Sequence, residues 1–90
     1  MNNKFAVIGL GVFGSAIARK LSERGADVMA IDENEERVQL ISQDVAFAVQ
    51  LDATNSAALE SQNLKEVDAV VVSIGSSFQE MLLCVFQLQE

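Results

Sequence analysis

Three glycines and one aspartate form the strongest chemical pattern in this sequence. Gly9, Gly11 and Gly14 follow the apolar run 5–8 in the pattern GxGxxG, and Asp32 ends the next apolar run, 21 residues after Gly11. Glycines at this spacing allow a tight turn, a close approach of the backbone to a pyrophosphate, and close packing of the following helix. An acid about 20 residues further on can accept hydrogen bonds from the ribose hydroxyls of an adenosine. The pattern predicts a binding site for an adenine dinucleotide or nucleotide.

The phosphates of such a ligand would lie at the start of the helix that follows the glycine turn. Unpaired N–H groups at a helix N-terminus bind anions, and the helix dipole adds roughly half a positive charge there. We therefore count Val12 and Phe13 with the glycines as cofactor-binding positions. Asp32 would repel a 2′-phosphate, so NADP is disfavoured. Glu33, next to Asp32, is also a candidate position, although we expect solvent around its side chain. The alternative is a tight turn followed by a surface aspartate.

Two further strand ends contribute candidate residues. Asp52 ends the third apolar run, and its carboxylate or the N–H of Ala53 could contact the adenine ring. The alternative is that Asp52 only begins a turn, a common role for aspartate. Ile74 and Gly75 follow the fourth apolar run and would form a wall beside the ribose or the phosphates. All of these positions belong to the carboxyl edge of the predicted sheet, where open α/β sheets bind ligands.

The sequence contains no catalytic or metal-binding pattern. It has no histidine or tyrosine, and its single cysteine, Cys84, has no neighbouring base. The acidic residues fall at helix starts rather than at metal-ligand spacing. We predict a binding domain that is not an enzyme. The cofactor-binding half of an NAD-dependent dehydrogenase remains an alternative, and so does an S-adenosylmethionine methyltransferase, although the third glycine argues against the latter.

Strands and helices alternate along the chain. Alternation of this kind implies right-handed crossovers and a parallel sheet. We predict a Rossmann-like, three-layer βαβ domain of the α/β class, with a parallel sheet of strand order 3-2-1-4 that is truncated before the last strands. The glycine turn would lie where the strand order reverses. The predicted strands are 5–8, 27–31, 45–49 and 67–74, and the predicted helices are 12–24, one capped by Asn34, one capped by Thr54 or Asn55, and one after Ser77.

Apolar residues define the expected buried faces of these helices. The first helix would bury Phe13, Ile17 and Leu21 and end at Gly25, and the second would bury its three apolar residues. Those three are Val38, Leu40 and Ile41. The last helix would be apolar around most of its circumference, through Met81, Leu82, Leu83, Val85, Phe86 and Leu88. Missing strands of a longer protein and a subunit interface are both open explanations for this last pattern.

Composition limits the remaining classes of function. The chain has 90 residues, of which 50% are hydrophobic, and a net charge of −7 with six scattered basic residues. A single small domain with this charge is not expected to bind nucleic acid. No apolar run approaches the roughly 20 residues of a membrane span, and there is no secretion signal.

The sequence resembles a known family over residues 1–75. The segments FAVIGLGVFGSAIARKL, GADVMAID, DAT and VDAVVVSIG are similar to the N-terminal nucleotide-binding (RCK or KTN, TrkA-N) domain of the regulatory subunits of Ktr and Trk potassium-transport systems. The resemblance implies that Gly9, Gly11 and Gly14 hold phosphates. It also implies that Asp32 holds the ribose, and that Asp52, Ala53 and Thr54 hold the adenine.

The resemblance also implies a role. Such domains bind NAD(H), ATP or ADP and assemble as dimers and rings. They dock on the cytosolic face of a membrane potassium channel or transporter, and exchange of the bound ligand gates that partner. We expect a cytoplasmic regulatory domain, residues 1–90 being a fragment of a longer subunit. Several ATP-responsive members have arginine directly after the second glycine, where this chain has Val12. This departure favours NAD(H) over ATP, with ADP and AMP as further candidates.

Overall fold

A computed structural model of the chain describes residues 3–52 and 66–73, together with the backbone of residues 84–87. Five strands and two helices lie in these ranges. They are β1 (Lys4–Ile8), α1 (Val12–Glu23), β2 (Asp27–Asp32), α2 (Glu35–Ile41), β3 (Phe47–Gln50), β4 (Ala69–Val72) and β5 (Cys84–Gln87). The helix predicted after Thr54 or Asn55 lies outside the described residues.

The strands form one sheet with the order β3-β2-β1-β4-β5. β1 pairs in parallel with β2 on one side and with β4 on the other, and β2 pairs in parallel with β3. The predicted Rossmann-like order 3-2-1-4 is confirmed. The chain leaves β1 for β2 on one side and reaches β4 on the other, so the order reverses at the end of β1.

Both described helices pack on the same face of the sheet. The main core cluster joins sheet residues to Ala18 of α1 and to Val38 and Ile41 of α2, while Ile17 and Leu21 pack at its margin. The sheet residues of this cluster are Val7, Val28, Ala30 and Val71. A separate cluster of Ala6, Val67 and Val70 forms on the opposite face. β1 and β4 are thus buried on both faces, as the continuous apolar runs predicted, whereas β3 has no buried residue.

The ends of the helices agree with the sequence signals. Gly25 follows the C-cap of α1 with φ of 95°, its N–H donates to the Ser22 carbonyl, and the Ala26 N–H donates to the Leu21 carbonyl. This pair of bonds is the Schellman motif, which requires a left-handed residue. At the start of α2 the Asn34 side chain accepts from the Arg37 N–H, as an N-cap does.

The bounds of two strands and the burial of one helix residue differ most from prediction. β3 begins at Phe47 rather than Val45, because the chain is still turning after α2, where the Asp44 N–H donates to the Ile41 carbonyl. β4 is limited to Ala69–Val72 within the predicted range 67–74. Leu40 was expected to be buried but is 74% exposed. A residue two positions from Val38 lies about 200° around the helix, on the opposite face.

The prediction of a helix near the C-terminus is wrong over Cys84–Gln87. These residues form β5, which pairs antiparallel with β4 and aligns Val85 with Val71. Periodicity alone does not separate a buried helix from a strand in a short apolar run, and the outer edge of β4 offers unpaired backbone groups to a neighbouring strand. Met81, Leu82, Leu83 and Leu88 lie outside the described residues.

No helix in the described part of the chain is both long enough and apolar enough to cross a membrane.

Neighbouring residues of α2 provide a test of this packing. Ile41 is fully buried and Leu40 is 74% exposed. We expect Ile41→Ala to lower the free energy of unfolding by about 2–5 kcal/mol through lost burial and a cavity. The matched control Leu40→Ala should change it by less than about 0.5 kcal/mol. Urea denaturation measures both, and equal losses would contradict the orientation of α2.

Candidate functional site

The glycine turn begins at a point where three strands meet. Gly9 has φ of 98°, and its N–H donates to the Ile31 carbonyl of β2 at 2.8 Å. A Cβ built on Gly9 would lie 1.8 Å from the Ser73 carbonyl oxygen, just after β4. The left-handed φ and this backbone contact each require glycine here. The turn is thereby held between β2 and β4.

The third glycine brings α1 against the turn. A Cβ on Gly14 would lie 1.7 Å from the Gly9 carbonyl oxygen and 3.4 Å from the Ser73 Cβ. Gly14 is buried in the first turn of α1. A helix this close to the turn aims its first N–H groups at the space above the carboxyl ends of the strands.

The N-terminus of α1 has the features of an anion-binding helix end. Gly11 is the N-cap residue, so no side chain caps the helix there, and the first turn contains no acidic residue. Ser15 instead bonds back to the Gly11 carbonyl, through its N–H at 3.0 Å and its hydroxyl at 2.7 Å. Val12 is 70% exposed and Phe13 is half-buried. The positive end of the helix dipole therefore faces the carboxyl edge without a neutralising carboxylate on α1.

Asp32 is buried at the end of β2 and is bonded to the glycine turn. Its Oδ2 accepts from the Leu10 N–H at 2.7 Å, and its Oδ1 accepts from the Asn34 N–H at 2.7 Å. The guanidinium of Arg37 lies 3.8 Å from the same Oδ2. A carboxylate that is 7% exposed needs such partners, because burying an uncompensated charge is costly. The sequence pattern identified Asp32 but missed Leu10 and Arg37.

The bonded carboxylate still has acceptor capacity. Two carboxylate oxygens together offer about four lone-pair positions, and backbone N–H groups occupy two of them. A ribose diol can use the remainder. The arrangement can hold a cis-diol next to a helix N-terminus that attracts phosphate.

Two further predicted positions, Glu33 and Asp52, lie along the same edge. Glu33 is exposed, and its carbonyl accepts from the Gln50 side chain at 3.2 Å. Asp52 is exposed two residues after β3, and the preceding Leu51 N–H donates to the Asp32 carbonyl at 3.0 Å. This bond brings the end of β3 next to Asp32. Ala53, Thr54, Ile74 and Gly75 lie outside the described residues.

A cavity of about 400 Å³ lies at the opposite edge of the sheet, among residues at the starts of the strands. Its lining includes Lys4, Asp27, Phe47 and Val67. It is separate from the glycine turn, and parallel α/β sheets bind ligands at the carboxyl ends of their strands. Within the described part of the chain, no group of three or more metal-ligating side chains comes together.

The fold and the glycine turn define an α/β domain of the Rossmann type. The sequence model of the TrkA-N domain matches residues 5–90. The chain belongs to the TrkA-N domain family.

Several curated proteins are similar to this chain. It is 40% identical over 90 residues to the Ktr system potassium uptake protein C of Bacillus subtilis, covering 100% of this chain and 41% of that protein. It is 33% identical over 89 residues to the Ktr system potassium uptake protein A of Vibrio alginolyticus, covering 99% and 40%. A Trk system potassium uptake protein TrkA homolog of Pyrococcus abyssi is 35% identical over 80 residues, covering 88% and 35%. The chain thus spans about two fifths or less of the length of these relatives.

The close contact at Gly14 leads to a prediction of unusual sign. In a helix, alanine is normally more stable than glycine by about 0.5–1 kcal/mol. We expect Gly14→Ala to destabilise the protein instead, by about 1–3 kcal/mol, because the new Cβ meets the Gly9 carbonyl. The control is Ala16→Gly at an exposed position of α1, which should cost only about 1 kcal/mol. A stabilised Gly14→Ala variant in urea denaturation would refute the close contact.

Proposed function

We propose that this chain is the nucleotide-binding module of a regulatory subunit in a potassium uptake system. It binds an adenine nucleotide, with NAD(H) preferred, and passes the ligand state to a membrane potassium channel or transporter. The observation that carries the proposal is the buried Asp32 carboxylate, bonded to the glycine turn beside the uncapped N-terminus of α1.

Each part of an adenine nucleotide has a matching group at this edge. The diphosphate lies at the start of α1, where N–H groups and the dipole favour negative charge. The ribose hydroxyls donate to Asp32, which has acceptor capacity beyond its two backbone bonds. Asp52, with Ala53 and Thr54 after it, contacts the adenine, and Ile74 with Gly75 forms the far wall. Gly9, Gly11 and Gly14 hold the backbone near the phosphates.

A regulatory role is favoured over catalysis for two reasons. The similar proteins are named as components of potassium uptake systems. The chain itself has no histidine or tyrosine to relay a proton beside a bound nicotinamide. The bound nucleotide therefore serves as a signal. The subunit acts at the cytoplasmic face of the membrane, and several copies assemble as a dimer or ring around their membrane partner.

Calorimetric titration with NADH, NAD, ATP, ADP and AMP tests the binding site. We expect binding of NADH, and we expect Asp32→Ala to weaken all five ligands together. Each lost charge-assisted hydrogen bond should cost about 1.5–3 kcal/mol, or about tenfold or more in affinity. Asp27→Asn is the matched control, because Asp27 is an exposed carboxylate at the other end of β2. Folded protein that binds none of the five ligands would refute the proposal.

The residue after the second glycine provides a second test. Val12 is 70% exposed at the first position of α1, so a longer side chain can be accommodated there. We expect Val12→Arg to raise the affinity for ATP about tenfold or more through a charge-assisted contact with the outer phosphates. The affinity for AMP, which lacks those phosphates, should change little. A similar gain for AMP and ATP would contradict the proposed direction of the phosphates.

The regulatory part of the proposal requires a measurement on the full subunit with its membrane partner. We expect potassium flux through that pair to depend on NADH and to lose this dependence in the Asp32→Ala variant. The Asp27→Asn variant should keep it. If the subunit binds nucleotides but none of them changes the potassium flux, the binding site remains and the proposed gating is refuted.

A further inference from the structure

The ion pair between Arg37 and Asp32 lies beside the proposed ribose position. The Arg37 Nη1 is 3.8 Å from the Asp32 Oδ2, and the arginine side chain is 51% exposed whereas the aspartate side chain is 6% exposed. At 3.8 Å the contact is electrostatic rather than a hydrogen bond. The guanidinium therefore balances the carboxylate charge without donating a hydrogen bond to that oxygen.

The two partners differ in how firmly they are held. Asp32 is fixed by two backbone N–H groups, from Leu10 and Asn34. The backbone of Arg37 is also fixed, because its N–H donates to the Asn34 side chain at 3.2 Å. The long arginine side chain is half-exposed and can turn about its own bonds. The carboxylate is thus anchored by the backbone at both oxygens, whereas the exposed guanidinium is held there by one ion pair at 3.8 Å.

These two residue types have opposite preferences at an adenosine ribose. In Rossmann domains an acid reads the free 2′-hydroxyl, whereas a nearby arginine accommodates a 2′-phosphate. This site has both. Because Asp32 is buried and bonded to the turn, its negative charge opposes a 2′-phosphate and also attracts the guanidinium that would otherwise bind that phosphate.

We propose that Arg37 is a specificity residue of the ribose site: a receptor for a 2′-phosphate that the Asp32 carboxylate holds inactive. The inference rests on the proposed function, since it assigns a role within the same nucleotide site. It implies that a single charge decides between NAD(H) and NADP(H). Neutralising Asp32 would remove the repulsion and release Arg37 for a bidentate contact with phosphate.

Other acids near the start of α2 should modify this preference only weakly. Glu33, Glu35 and Glu36 are exposed, and the Glu35 carboxylate accepts from the Gln39 side chain. Charges in solvent are screened over about 8 Å at physiological salt. The buried carboxylate therefore dominates the discrimination.

The test is a double-mutant cycle on the full chain, titrated with NADH and NADPH at a fixed salt concentration. The four proteins are the wild type, Asp32→Asn, Arg37→Gln and the double variant. We expect the wild type to prefer NADH by about tenfold or more, and Asp32→Asn to shift the ratio of affinities toward NADPH by about tenfold or more. Arg37→Gln in the Asp32→Asn background should reverse most of that shift. Arg19→Gln, which breaks the distant surface pair with Asp44, should leave the ratio unchanged.

Failure of this inference can be told apart from failure of the proposed function. Suppose that the wild type binds NADH but that the Asp32→Asn protein and the double variant have the same ratio of NADPH to NADH affinity. Arg37 is then not a phosphate receptor, whereas the proposed nucleotide site still holds. If the wild type binds no adenine nucleotide, both proposals are wrong.

A second comparison avoids any loss of folding in Asp32→Asn, which weakens a bond to the turn. In the otherwise wild-type protein, Arg37→Gln leaves both backbone bonds of Asp32 in place. It should lower the affinity for NADPH about threefold or more and change the affinity for NADH much less. The reason is that the negative charge of Asp32, no longer compensated by the guanidinium, repels the 2′-phosphate more strongly. Equal effects on the two ligands would overturn the inference.

Discussion

The buried carboxylate of Asp32 joins the segments that meet at the carboxyl edge of the sheet. It ends β2, accepts from Leu10 in the glycine turn, and accepts from Asn34 at the start of α2. Each bond satisfies a charge that burial would otherwise make costly. The turn after β1 and the start of α2 therefore have a fixed position relative to each other. In the proposed role, the same carboxylate also accepts hydrogen bonds from the ribose hydroxyls.

Close backbone contact supplies the second constraint at this edge. The positions of Gly9, Gly14 and Ser73 leave no room for a Cβ at either glycine. β1, α1 and β4 can approach this closely only because two of the three contacting residues lack a side chain. The same approach directs the start of α1 toward the crevice where the strand order reverses. The same atoms thus determine the packing of this edge and, in the proposed role, the position of the phosphates.

Membership of the TrkA-N family connects this geometry to potassium uptake proteins. In the proposed role, the domain uses the nucleotide as a signal, and its chemistry at this edge is recognition of charge and hydroxyl groups. Asp32 and Arg37 have opposite charges at different depths. In our proposal, the buried acid biases the site toward a ribose without a 2′-phosphate. A regulatory subunit with this bias would respond to NAD(H) with little interference from NADP(H).

Sequence alone determined the features that depend on local spacing and on general rules for parallel sheets. Alternating strands and helices, the glycine turn, the acid after β2, the left-handed Gly25 and the Asn34 cap all follow from neighbouring residues. Tertiary structure decided the features that need distant partners. Leu40 is exposed because only the Val38 face of α2 meets the sheet. Residues 84–87 are a strand because the edge of β4 pairs with them. Asp32 meets Leu10 only once β1 and β2 lie side by side, since a contact across 22 residues of chain leaves no periodic signal in the sequence. Its ion pair with Arg37 forms only once α2 packs beside the end of β2.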